Sequence, residues 1–208
     1  MINAKFQSGI YAITDNVLNL EQKVEQCLKA GISLLQYRNK IANLQQKEKQ
    51  AKQLLKLCQQ YKVPFIINDD VVLAKKIGAN GVHLGKTDAT YQMARQQLGK
   101  QAIIGISCYN QLELALEAQQ QGADYIAFGR FFPSNTKPNA CLAPLEILQQ
   151  ASQKITIPIV AIGGITPQNG QLLVQHGAQL LAVVGGLFAN QNQINQVKLY
   201  QTCFEENQ

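Results

Sequence analysis

The sequence predicts an α/β protein: a closed (β/α)8 TIM barrel, with residues 1–208 forming one domain. Three observations predict it. Eight short apolar runs alternate with helical stretches from end to end. A glycine that closes a helix just before the next apolar run recurs in Gly78-Ala79-Asn80, Gly122-Ala123-Asp124 and Gly177-Ala178-Gln179, and Lys29-Ala30-Gly31 has a similar role. The unit repeats at ~20–30 residues, which is the spacing of βα units and not of a solenoid. No linker, low-complexity tract or composition break divides the chain. A doubly wound open sheet is disfavoured, because the strands are evenly spaced and no GxGxxG follows the first.

Taken in order, the expected strands are Gly9–Thr14, Ile32–Gln36, Phe65–Asn68, Gly81–Leu84, Ala102–Ser107, Tyr125–Gly129, Ile157–Gly163 and Leu180–Gly185, each rich in Ile, Val, Leu or Tyr. Between the first two, Leu20, Val24, Cys27 and Leu28 fall at helical spacing and Gly31 follows as a cap. Leu44 to Tyr61 is a long Lys/Gln-rich helix with Ala51, Leu54, Leu55 and Cys58 on one face. Asp70 is placed to cap the third helix, which stops at Gly78. Asn110 with Glu113 resembles a capping box at the start of the fifth. Thr166-Pro167 is an N-cap followed by proline at the first helical position.

Composition narrows the function classes. A 208-residue chain with 46% hydrophobic and 15% charged residues has material for a full core. The net charge of +6 is spread over helices (Lys47, Lys49, Lys52, Lys56, Lys75, Lys76), which argues against nucleic-acid binding and for solvated faces. Five dispersed cysteines without a CxxC pair fit a reducing compartment and argue against sulfur-bound metal. No apolar run approaches the ~18 residues of a membrane helix, and Met1 to Phe6 carries no signal-peptide pattern. The expectation is a soluble cytoplasmic protein without a membrane or nucleic-acid partner. Its oligomeric state stays open, a homo-oligomer included.

In a barrel the active site lies at the C-terminal strand ends. Side chains alternate along a strand, so Gln36, Arg38 and Lys40 leave the second strand on one side. An amide, a planar fork and a point charge suit the oxygens of a phosphate or diphosphate. Asp69 and Asp88 leave adjacent strands and could hold magnesium, which takes one or two carboxylates plus phosphate oxygens. Each could instead cap a helix, and for Asp70 the cap is favoured. Lys137, after the sixth strand, adds a cation. Gly163-Gly164 and Gly185-Gly186 follow strands seven and eight, where such barrels bind a phosphate through backbone N–H groups. His83 reads as a satisfied core histidine and His176 as a surface residue near a helix end. Ser107 either bonds a ligand or ends a strand. No Asp-His-Ser set is in view, so nucleophilic catalysis is not expected.

Gln36-Tyr37-Arg38-Asn39-Lys40, Ile67-Asn68-Asp69-Asp70, Gly81-Val82-His83-Leu84-Gly85, Phe132-Pro133-Ser134-Asn135-Thr136-Lys137 and Ile162-Gly163-Gly164-Ile165, in this order, resemble thiamine-phosphate synthase from about Tyr11 to Phe188. The family joins hydroxymethylpyrimidine diphosphate to a thiazole phosphate and releases diphosphate. The resemblance implies that Gln36, Tyr37, Arg38, Asn39, Lys40, Asn68, Ser107 and Lys137 hold the pyrimidine diphosphate. It makes Asp69 and Asp88 the Mg2+ ligands, and it gives the thiazole phosphate to Ser134, Asn135, Thr136, Gly164, Val184 and Gly185. The implied reaction ionises the pyrimidine diphosphate to a resonance-stabilised carbocation, which the thiazole nitrogen captures. Arg38, Lys40 and Lys137 would then be the catalytic cations, since such a reaction needs a stabilised leaving group more than a base.

The chain departs from the family pattern at Lys86, where Gln is usual, at Arg130, a common Pro, and at Cys108-Tyr109-Asn110, where Thr and His often follow the serine. It departs again at Gly185-Gly186, a frequent Ser-Ala. None of these removes a charged diphosphate or metal group. Two alternatives compete. One is a thiazole tautomerase on the same barrel, disfavoured by Arg38, Lys40, Asp69, Asp88 and Lys137 and by the lack of a His beside Ser107. The other is a non-catalytic barrel that binds thiazole phosphate.

Overall fold

The structure is a computed structural model that describes residues 7–85, 88–133 and 141–205. Eight parallel strands close on themselves in sequence order. They are β1 (Gly9–Ile13), β2 (Leu34–Tyr37), β3 (Phe65–Asn68), β4 (Gly81–Leu84), β5 (Ile103–Tyr109), β6 (Tyr125–Gly129), β7 (Ile159–Ile162) and β8 (Leu180–Val183). The helices are α1 (Leu20–Lys29), α2 (Leu44–Tyr61), α3 (Val71–Ile77), α4 (Tyr91–Leu98), α5 (Leu112–Gln121), α6 (Glu146–Lys154), α7 (Pro167–Gln175), α8 (Gly185–Phe188) and α9 (Gln193–Gln201). The (β/α)8 barrel expected from the sequence is therefore present. No helix among the described residues is long and apolar enough to cross a membrane.

Strand alternation divides the core in two. Tyr11, Ile13, Leu34, Ile66, Ile103, Tyr125, Ala127, Val160, Leu180 and Ala182 fill the barrel interior. Their neighbours, among them Ile10, Ala12, Leu35, Phe65, Ile67, Ile126 and Phe128, pack outward against the apolar helix faces.

The recurring Gly-x-polar turn does more than end helices. Gly78 and Gly122 take left-handed caps, and the third residue of each turn reaches sideways to the preceding strand. Asn80 accepts from the N–H of Phe65, Asp124 from Ile104 and Gln179 from Ile159, at 2.8, 2.8 and 2.7 Å. Ser33, three residues after Ala30, instead donates to the carbonyl of Ser8. Each pair of strands is thus pinned at the end opposite the candidate site. Arg95 of α4 reinforces one pin. It meets Asp124 at 2.7 Å and donates to the carbonyls of Gly99, Lys100 and Ala102. Replacing Arg95 by leucine is expected to cost about 2 kcal/mol in chemical denaturation, since three carbonyls and a largely buried carboxylate lose a partner together. A change below about 0.5 kcal/mol would mean that water replaces the guanidinium there.

The structure corrects some boundaries. β7 begins at Ile159 because Pro158 has no N–H for the ladder. β5 runs on to Tyr109 through a register shift at Ser107. The expected Asn110–Glu113 capping box is consequently absent, and α5 starts at Leu112 after Gln111 without a side-chain cap. Gly185 and Gly186 belong to the short helix α8 and not to the end of a strand. The Asp70 cap stands, with its carboxylate accepting from Leu73 N–H at 2.8 Å.

Candidate active site

The C-terminal strand ends open on a cavity of about 650 Å3. Its wall contains Gln36, Arg38, Lys40, Asn68, Asp69, Asp88, Ser107, Gly164, Val184 and Gly185. Ten residues singled out in the sequence, from six different strands or the loops after them, therefore share one space. Ser134, Asn135, Thr136 and Lys137 lie outside the described residues.

Each side chain is placed by local structure. The buried Thr14 follows β1 and brackets Arg38, accepting from its N–H at 2.8 Å and donating to its carbonyl at 3.1 Å. The backbone under the guanidinium is fixed as a result. Tyr37 and Asn39 alternate to the other side, and both bond Gln50 of α2. They line a smaller cavity of about 260 Å3 beside the main one, and the structure does not bring them into the main cavity. Asn39 also accepts from the N–H groups of Ile41 and Ala42, which sets the turn that carries Lys40.

Asp69 directly follows β3 with φ +63°, a left-handed conformation uncommon for a non-glycine residue but more accessible to Asp than to most. Asp88 does not cap a helix: Thr90 caps α4, accepting from Met93 N–H. The Asp88 carboxylate instead accepts from Gly85 N–H at 2.6 Å. Burial and the facing Asp88 carboxylate raise Asp69 above the usual carboxylate range, while Lys40, 3.8 Å away, pulls it down. Two facing carboxylates at the rim of a cation-bearing cavity fit a hard divalent ion. No group of three or more His, Cys, Asp or Glu ligands occurs among the described residues, so the remaining ligands of such an ion would be water or substrate oxygens.

Sequence reasoning missed the floor of the cavity. Gln36 donates to the Tyr11 hydroxyl at 2.6 Å, and the two buried hydroxyls of Tyr11 and Tyr125 lie 2.7 Å apart. His83 bridges Tyr125 (Nδ1, 3.0 Å) and Ser107 (Nε2, 2.9 Å). One line of hydrogen bonds therefore crosses the barrel from β2 to β5. Burial raises both phenols well above their ordinary range, so they stay neutral. His83 is satisfied, as expected, but it faces the cavity. It gives Ser107 a histidine neighbour in space, although none stands beside it in the sequence. The available signal was a Tyr at an inward position of β1 and another of β6, where an aliphatic residue is usual.

On the opposite side, Gly163 and Gly164 both take positive φ after β7, at 106° and 66°. Asn169 of α7 holds this turn, donating to the Gly164 carbonyl and accepting from Thr166 N–H. Val184 then leads into α8. All five cysteines are free, with Cys141 exposed and the others buried.

Fold and mouth together define the class: a (β/α)8 barrel with a polar, cation-bearing cavity where barrels of this kind carry their active sites. A family model described as thiamine monophosphate synthase matches residues 10–187, and the chain belongs to that family. The thiamine-phosphate synthase of Saccharophagus degradans is 54% identical over 188 residues, covering 88% of this chain and 87% of the relative. That of Nitrosococcus oceani is 50% identical over the same length and coverage. The solved structure of thiamine phosphate pyrophosphorylase from Pyrococcus furiosus superposes with a TM-score of 0.86 at 31% identity, covering 94% of each chain. The chain is an enzyme, a transferase.

Proposed function

We propose that this chain makes thiamine phosphate, joining hydroxymethylpyrimidine diphosphate to hydroxyethylthiazole phosphate with release of diphosphate, in the cytoplasm and as a step of thiamine biosynthesis. The observation that carries the reading is the pairing of Asp69 and Asp88 in one cavity with Arg38 and Lys40, the latter 3.8 Å from Asp69. Cations and a carboxylate pair at one rim suit a magnesium-bound diphosphate, a group that an enzyme handling one phosphate would not need.

Arg38 and Lys40, with Lys137, bind the diphosphate and neutralise charge that grows on it as the C–O bond to the pyrimidine methylene breaks. Asp69 and Asp88 would hold Mg2+, which when bound supplies further charge neutralisation to the leaving group. Gln36, Asn68 and Ser107 line the cavity beneath and orient the pyrimidine ring. Because Ser107 is tied to His83, its hydroxyl oxygen is held in place before substrate arrives. The thiazole phosphate is assigned to Gly164, Val184 and Gly185 with Ser134, Asn135 and Thr136. A thiazole held there would bring its ring nitrogen to the cationic methylene carbon, and capture forms the C–N bond. The excess of donors over acceptors stabilises departing charge and leaves no need for a strong base.

A thiazole tautomerase is the second reading. The histidine beside Ser107 favours it, as proton transfer would need such a group. Arg38, Lys40 and the carboxylate pair weigh more heavily on the other side. The test is product formation by purified protein from both substrates, with magnesium and with a chelator. Thiamine phosphate that forms only with magnesium, and drops at least 100-fold in Lys137→Ala by analogy with loss of one oxyanion donor, is the expected result. Absence of product with tight thiazole-phosphate binding would reject the synthase reading.

A further inference from the structure

The two glycine turns of the thiazole-phosphate subsite come from different βα units, and something must fix the distance between them. α8 is secured on its far side. Lys23 of α1 donates to the carbonyls of Phe188 and Asn190 at 2.7 and 2.9 Å, and Gln193 donates to those of Leu187 and Asn190. Neither touches the turn after β7. Tyr200, on the last helix, does. Its hydroxyl donates to the Ile165 carbonyl at 2.9 Å, directly after Gly163-Gly164. The same hydroxyl lies where a side chain at Gly186 would begin: a Cβ built there collides with the Tyr200 oxygen. The ring is 1% exposed and forms part of the cavity wall. Burial, with Cys203 nearby, pushes the phenol up to about 12, so it remains a neutral donor across the physiological range.

We propose that Tyr200 is a positioning residue for the phosphate end of the thiazole substrate. Its hydroxyl sets the separation of the turn after β7 from the first turn of α8, so that the backbone N–H groups of both converge on one phosphate. The inference rests on the reading of this subsite given above. It also accounts for Gly186, where the family frequently has Ala: alanine and the Tyr200 hydroxyl cannot occupy that space together. A 1 Å change in such a cradle is felt in binding, because hydrogen bonds weaken steeply with poor geometry.

The experiment is a kinetic comparison of wild type, Tyr200→Phe, Gly186→Ala and the double variant, with calorimetric titration of thiazole phosphate alongside. Tyr200→Phe is nearly isosteric and removes only the bond to Ile165. It is expected to raise KM and Kd for thiazole phosphate about fivefold to tenfold and to leave KM for the pyrimidine diphosphate within twofold. Gly186→Ala, which must displace the ring, is expected to be worse than Tyr200→Phe. In the double variant the methyl enters space left by the missing oxygen, so its thiazole-phosphate KM returns to the Tyr200→Phe value. Unchanged thiazole-phosphate affinity in Tyr200→Phe, equal changes for both substrates, or additive losses in the double variant would overturn the inference alone. Wild-type protein that neither binds nor turns over thiazole phosphate would overturn the functional reading and this inference with it.

Discussion

Asp88→Asn is expected to lower kcat/KM about 10²–10³-fold while leaving the protein as stable as before, or slightly more so. The substitution is chosen because it separates charge from shape. The Asp88 carboxylate accepts one hydrogen bond, from Gly85 N–H at 2.6 Å, and an asparagine oxygen accepts the same bond. What disappears is a negative charge facing Asp69. Asp69 is held high by burial and by that neighbour, so its pKa falls when the neighbour becomes neutral, and the repulsion between the two carboxylates is relieved. A group that costs the resting fold stability and raises the rate only through magnesium would belong to the proposed cation site. Two readouts check this. The magnesium concentration for half-maximal rate should rise, and the melting temperature in chelator should hold or increase. An unchanged dependence of rate on magnesium would remove Asp88 from the proposed metal site. A large loss of melting temperature would make it a structural residue of the turn between β4 and α4.

The chemistry at the rim was legible in the sequence because it is built from charged and Gly-rich residues at strand ends, where polar side chains stand out against apolar runs. Arg38, Lys40, Asp69 and Asp88 could be read that way without a structure. The sequence also left Asp88 undecided between cap and ligand, and the position of Thr90 at the start of α4 removes only the cap. The floor was harder. Tyr11, Tyr125 and His83 sit inside strands and look like core residues one at a time. Their meaning lies in contacts between positions up to 114 residues apart, and no local pattern encodes that. Tyr200 is hidden for the same reason. It lies beyond the stretch that resembles the family, and its partners are a backbone carbonyl and a glycine, neither of which carries a side-chain signal. Boundaries failed where backbone chemistry overrode hydrophobicity, as at Pro158 and at the register shift beside Ser107.

Gly105→Ala is expected to destabilise the protein by at least ~3 kcal/mol, although it adds a single methyl group to a β-strand. Alanine is ordinarily the better residue in such a position, because glycine loses more chain entropy on folding. Here the inward face of β5 carries no side chain at 105 so that the ring of Tyr125 can cross the barrel interior. A Cβ built at Gly105 falls within the ring itself. Tyr125 cannot simply slide. It is fully buried, stands edge-on to Tyr11 at 5.8 Å between centroids, stacks on His83 at 5.5 Å, and shares its hydroxyl with both. Moving the ring breaks these contacts together and leaves polar atoms buried without partners, which is the costly form of overpacking. At ~2–4 °C per kcal/mol for a chain of this size, the melting temperature should fall by roughly 6–12 °C. Activity should fall as well in whatever fraction stays folded, since Tyr125 holds the His83 ring that bonds Ser107. A Gly105→Ala protein that melts with the wild type would show that the interior yields at Tyr125, and the hydrogen-bonded line across the barrel could then not be what holds Ser107 in place.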